Sequence, residues 1–145
     1  MTGLTPAQRE AAIKEASTWI RTPWYHRGKI KGSGVDCVQF IVQVYQRIGA
    51  LGEVVIDDYA QEWALHRHEQ KLLAHLRVYA HAVDKPRPAD LAVYHYGRSF
   101  SHVALVVDWP RVIHANREQG EVSYDDGEQG VLADRAVQFW SLGAA

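Results

Sequence analysis

Apolar positions in the first half of the chain recur at three- and four-residue steps, and in the second half they alternate or run together. Thr5-Pro6-Ala7-Gln8 reads as an N-cap, a proline at the first helical position and a capping-box glutamine. Ala12, Ile13, Ala16, Trp19 and Ile20 continue as one stripe, which predicts a helix to about Arg21. Residues 22–36 carry Pro23 and three glycines and read as a loop. From Val38 the helical period returns through Ile41, Val42, Tyr45 and Ile48. Asp36 suits its N-cap and Gly49 its C′ position. Asp57-Asp58 opens a mostly helical stretch to about Leu76, with Trp63, Leu65, Leu72, Leu73 and Leu76 as core.

The period then changes. Residues 78–83 form a short strand, and Lys85-Pro86-Arg87-Pro88 is a rigid connector. Leu91–Tyr96 reads as a strand, Gly97-Arg98-Ser99 as a turn and His102–Val107 as the clearest strand, rich in valine. Trp109-Pro110 turns the chain into a return strand at Arg111–Ala115. Gly120–Gly130 is an acidic, glycine-bearing loop, and Val137–Leu142 is a final strand. Helices followed by an antiparallel meander give an α+β fold.

The chain has 145 residues, the size of one domain, and its 47% hydrophobic and 23% charged residues suit a globular core. A net charge of -1 argues against sequence-independent nucleic-acid binding. One cysteine rules out an internal disulfide. No apolar N-terminal run marks a signal peptide or membrane insertion, so synthesis in the cytoplasm is expected.

Chemistry concentrates on that single cysteine. Cys37 falls in the first turn of an apolar helix, where unpaired amides and the helix dipole favour a thiolate over the free thiol's pKa of about 8.5. An inert buried thiol is the alternative. A thiolate nucleophile needs a base, and histidine suits neutral pH. Of eight histidines, His102 stands out because it opens a strongly apolar strand and shares a face with Ala104 and Val106. His114 lies on the next strand at an even separation. An odd-length hairpin loop near Asp108 would put both on one face, where His114 can orient His102.

The chain resembles the NlpC-type cell-wall cysteine peptidases, which have a papain-like core, and more closely their phage tail-assembly branch. The resemblance is carried by Thr22-Pro23-Trp24-Tyr25-His26, Gly34-Val35-Asp36-Cys37, Asp58-Tyr59 through Trp63, Pro88-Ala89-Asp90-Leu91, Ser101-His102-Val103-Ala104 and Ile113-His114-Ala115. It implies a single domain over residues 1–145, with the Cys37 helix packed on an antiparallel sheet. It further implies Cys37 as nucleophile, His102 as base and His114 as the orienting residue. Asp36, Ser101 and an aromatic at Trp24 or Tyr25 would bind the substrate's free amine. The implied substrate is a peptidoglycan stem peptide, cleaved between γ-D-glutamate and diaminopimelate, with no cofactor. The implied partners are other phage or prophage tail proteins, and the implied location is the virion tail. Two departures from the family pattern, Gln39 after the cysteine and Trp24 in place of tyrosine, favour the rival reading of a structural tail-tip or assembly protein with a decayed site. A third reading is another thiol chemistry on the same fold, an amidase or acyl transferase.

Arg27, Lys29 and Lys31 make the loop before Cys37 basic and read first as a solvated loop. His66 and His68 point apart on a helix. His68 and His75 can share a face, but no cysteine or paired carboxylates complete a metal site with them or with His81.

Overall fold

Local chemistry closes the first helix at both ends. Thr5 Oγ1 accepts from the Gln8 amide at 3.1 Å, and Gln8 Oε1 accepts from the Thr5 amide at 2.9 Å. The helix, α1 (Pro6–Ser17), stops about four residues before the predicted Arg21. The Ser17 and Thr18 hydroxyls donate back to the carbonyls of Lys14 and Glu15 at 2.7 and 2.6 Å, an alternative to continuing the helix. Arg21 then turns with φ 74. This is a computed structural model, and it describes residues 3–54 and 71–145. The predicted helix start at Asp57-Asp58, Trp63 and Leu65, the Asp58-Tyr59 motif, His66 and His68 lie outside the described residues.

The predicted loop before Cys37 contains a two-stranded ribbon, β1 (Lys29–Ile30) with β2 (Gly34–Val35). The loop before it packs closely on β2: a Cβ on Gly28 would meet the Gly34 carbonyl carbon at 2.7 Å, and one on Gly34 would meet the Tyr25 side chain at Cβ, 2.7 Å away. The helix α2 (Cys37–Arg47) begins at the cysteine, and α3 (Lys71–Tyr79) leads directly into β3 (Ala80–Val83). There follow β4 (Leu91–Tyr96), β5 (Ser99–Asp108), β6 (Arg111–Asn116), β7 (Glu121–Asp126), a short 3-10 turn (Gly130–Leu132) and β8 (Val137–Leu142). All six strands from β3 onward form one antiparallel sheet in the order β3-β8-β4-β5-β6-β7.

Two expectations are corrected here. Ser99 belongs to β5, so the turn before it is shorter than Gly97-Arg98-Ser99. The segment 120–130 is not all loop. Residues 121–126 pair with β6 because Val122 and Tyr124 alternate with Ser123 and Asp125, a period-two pattern masked by acidic composition.

Alternation along β4, β5 and β6 divides the core. Leu91, Val93, Val103, Leu105, Ile113 and Ala115 pack against Val38, Phe40, Ile41, Val44 and Tyr45 of α2. Ala92, Tyr94, Ala104, Val106, Val112 and Leu132 form a second cluster on the other face. A buried ion pair ties α1 to this sheet. Arg9 Nη1 donates to Asp90 Oδ1 at 2.7 Å and to the Pro88 carbonyl at 2.8 Å, and Nη2 donates to Ser141 Oγ at 3.2 Å.

Candidate active site

Asp36 fixes the start of α2. Its Oδ1 accepts from the Gln39 amide at 2.9 Å and its Oδ2 from the Arg27 amide at 2.7 Å, so one buried carboxylate caps the helix and holds the preceding loop. Cys37 is therefore the first helical residue, half-buried and reduced. The β5–β6 ladder stops at Leu105–Ile113, leaving the β5 edge beyond it open to other partners. The Cys37 sulfur takes that place, 4.0 Å from the Ser101 carbonyl oxygen and in reach of the Val103 amide. The thiol is thus seated on the peptide groups either side of His102.

Burial, and then the neighbouring Asp36 carboxylate, push the Cys37 thiol up to about 12, against the opposing pull of the Val103, Val38 and Cys37 amides. This corrects the expected thiolate: helix-start amides are present, but desolvation and a capping carboxylate outweigh them.

His102 and His114 meet directly, with Nε2 of His102 2.8 Å from Nδ1 of His114 and ring centroids 5.0 Å apart. The loop between their strands is not odd in length, since Asp108 pairs with Arg111 across Trp109-Pro110. A register shift between Val106 and Asp108 supplies the missing residue, so Leu105 faces Ile113 and even-numbered positions of both strands share a face. Both imidazoles are buried, and burial holds both below the usual histidine value. His114 and Arg135 push His102 further down, while Asp125 pulls His114 back up.

The surroundings contain groups the sequence reading missed. Asp125 Oδ2 lies 3.0 Å from His114 Nε2 and accepts from Gln119 Nε2 at 2.7 Å. The Tyr96 ring lies 5.1 Å from that of His102, its hydroxyl accepts from Asn116 Nδ2 at 3.3 Å, and the Arg135 guanidinium covers it at 3.5 Å. Alternation in residues 121–126 was the one available signal for Asp125. Arg135 and Tyr96 carry none, because only the fold brings them together.

The remaining expected positions lie beside the α2 start: Trp24 bridges to Val35, and the Tyr25 amide donates to the Val35 carbonyl at 3.1 Å. Ser101 is half-buried and meets the thiol through its carbonyl. Trp24 is half-buried, stacked on His26 at 6.5 Å with the Arg117 guanidinium over it at 5.7 Å. Tyr25 is exposed. Lys31 pairs with Glu15 at 2.7 Å, so part of the basic loop is structural. Among the described residues no group of three His, Cys, Asp or Glu side chains is placed to hold a metal ion.

The NlpC/P60 family profile matches residues 21–141. The chain belongs to the NlpC/P60 family. The NlpC/P60 domain of the peptidoglycan hydrolase SagA shares its fold at a TM-score of 0.61 and 21% identity, over 94% of this chain and 98% of that one. NlpC2 from Trichomonas vaginalis matches at 0.67 and 15% identity, covering 94% of this chain and 49% of that one. The peptidoglycan hydrolase RipB from Mycobacterium tuberculosis matches at 0.60 and 16% identity, covering 95% and 67%. This NlpC/P60 chain thus spans nearly all of one such relative and about half of another. No curated protein sequence matches it. Its fold is the α+β arrangement of the NlpC/P60 structures, and no described helix is long and apolar enough to cross a membrane.

Proposed function

We propose that this chain is a cysteine endopeptidase acting on peptidoglycan stem peptides, with residues 1–145 as one catalytic domain. One observation carries the reading: the only cysteine starts a helix and rests on the strand peptides flanking a buried histidine that contacts a second histidine. Family membership and hydrolase relatives support it.

In the proposed reaction the Cys37 thiol gives its proton to His102 as sulfur attacks the substrate carbonyl, forming a C–S bond. Amides at the α2 start, Cys37 among them, face the developing oxyanion. Protonated His102 returns its proton to the leaving amine, and the C–N bond breaks to leave a thioester. Water then attacks that carbonyl, losing a proton to His102, and the acid departs as the thiol is restored. A protonated resting thiol suits this order, because the thiolate forms only as substrate arrives. His114 holds the His102 ring. Asp36, Ser101 and Trp24 or Tyr25 form the subsite for the free amine, and the bond cleaved is γ-D-glutamyl–diaminopimelate. Tail association and tail-protein partners rest on the sequence motifs alone.

Defined stem peptides incubated with wild type and with Cys37→Ala, with products read by mass spectrometry, test this. Cleavage by wild type alone at the γ-D-glutamyl bond is expected. No cleavage of any stem peptide by folded wild type sinks the reading and leaves the structural tail-protein alternative.

A further inference from the structure

We propose that Asp125 is a positioning residue that sets the tautomer of both histidines, and thereby leaves Nδ1 of His102 unprotonated as the atom that takes a proton. The consequence for catalysis rests on the hydrolase reading, but the tautomer assignment does not.

The assignment follows from which atoms can donate. The Asp125 carboxylate is surrounded by donors: Gln119 Nε2 reaches Oδ2 at 2.7 Å, and the Asp126 amide reaches Oδ1 at 3.2 Å. An ionised carboxylate only accepts. His114 Nε2, 3.0 Å from Oδ2, must therefore carry the hydrogen of that contact. A neutral imidazole has one N–H, so His114 Nδ1 is an acceptor. The 2.8 Å contact to His102 then requires His102 Nε2 to be the donor. His102 Nδ1 is left with its lone pair. The chain Asp125–His114–His102 transmits one instruction through two rings, and reversing it at Asp125 reverses it at the far end.

Gln119 is itself oriented. Its Oε1 accepts from Ser123 Oγ at 3.2 Å, which directs its amide nitrogen toward Asp125. An asparagine at position 125 would therefore turn its oxygen to that nitrogen and to His114, preserving the acceptor without the charge. Alanine would remove it. Asp125 sits on the edge strand β7, so neither change opens the core.

The test is side-chain ¹⁵N spectroscopy of the histidines, with stem-peptide kinetics beside it. Wild type should show His102 and His114 both as Nε2–H at neutral pH. Asp125→Ala should shift both toward mixed tautomers and lower kcat about tenfold or more with KM little changed. Asp125→Asn should restore both spectrum and rate. An Nδ1–H form of either ring in wild type overturns the proposal without any variant. So does an Asp125→Ala spectrum equal to wild type, or an Asp125→Asn spectrum equal to that of Asp125→Ala. Correct tautomers in a wild type that cleaves no stem peptide would instead defeat the hydrolase reading.

Discussion

His102 and His114 are diagonal neighbours rather than cross-strand partners: His102 is paired with Tyr94 on β4 and His114 with Ser123 on β7, yet their ring nitrogens are 2.8 Å apart. Each is buried between its own partner strand and the other's ring. That arrangement keeps both neutral, and it makes folding sensitive to acid.

Stability should fall as pH drops below about 6.5, the value of an unfolded-chain histidine. Both folded values lie below it, so in that window the unfolded chain binds protons that the native protein refuses. Each histidine kept neutral costs about 1.4 kcal/mol per pH unit there, until its folded value is reached. Urea denaturation at pH 7, 6 and 5 measures this. A midpoint unchanged across the series would mean that the rings protonate without penalty in the native state.

Cys37 should alkylate slowly at neutral pH, with the iodoacetamide rate still climbing past the free-thiol value of about 8.5. Burial and then Asp36 place the thiol up at about 12. A fast, flat rate between pH 6 and 8 would indicate a resting ion pair with His102 and contradict this.

Asp36→Asn should move that alkylation profile to lower pH, because a carboxylate raising the thiol is gone. Asparagine offers one acceptor oxygen where Asp36 uses two, for Gln39 and Arg27. A stability loss of about 1–3 kcal/mol is expected from the orphaned amide. If Asp36 also binds the substrate amine, wild type should prefer free-amine over N-acetylated stem peptide and the variant should lose that preference. Equal wild-type activity on both peptides would reduce Asp36 to a cap.

Arg9→Ala or Asp90→Ala alone should cost roughly 3–5 kcal/mol, since each leaves a buried charge without its partner. The double change Arg9→Met with Asp90→Leu should recover most of that loss. Chemical denaturation of all three variants decides. A double change as damaging as the sum of the singles would show that hydrogen bonds to Pro88 and Ser141, not charge, hold the clasp.

Much of this was legible in the sequence because it was local. The Thr5 box, the Asp36 cap and the valine-rich β5 each declare themselves within a few residues. Cys37, His102 and His114 could be picked out one by one, yet the face shared by the histidines depends on an extra residue between Val106 and Asp108. No turn motif announces it, and without it the parity of β6 would put His114 on the opposite face. Asp125 was hidden for another reason: its neighbours are acidic, and composition outweighed alternation. The α1 end was overrun because Trp19 and Ile20 continue the apolar stripe after the backbone has left the helix.

The strand order carries a consequence for how the protein comes to be folded. β8, the last of the described strands, lies between β3 and β4 in the interior of the sheet, and Ser141 on it completes the shell around Arg9. Among the described strands β3 pairs with β8 alone, so residues 137–142 must leave the ribosome before β3 gains that partner. Until then the β4 edge that β8 covers is bare, and Arg9 on α1 waits for Ser141. Assembly of this sheet is therefore gated by β8, so nascent chains halted before residue 137 should be the ones that recruit chaperones or aggregate.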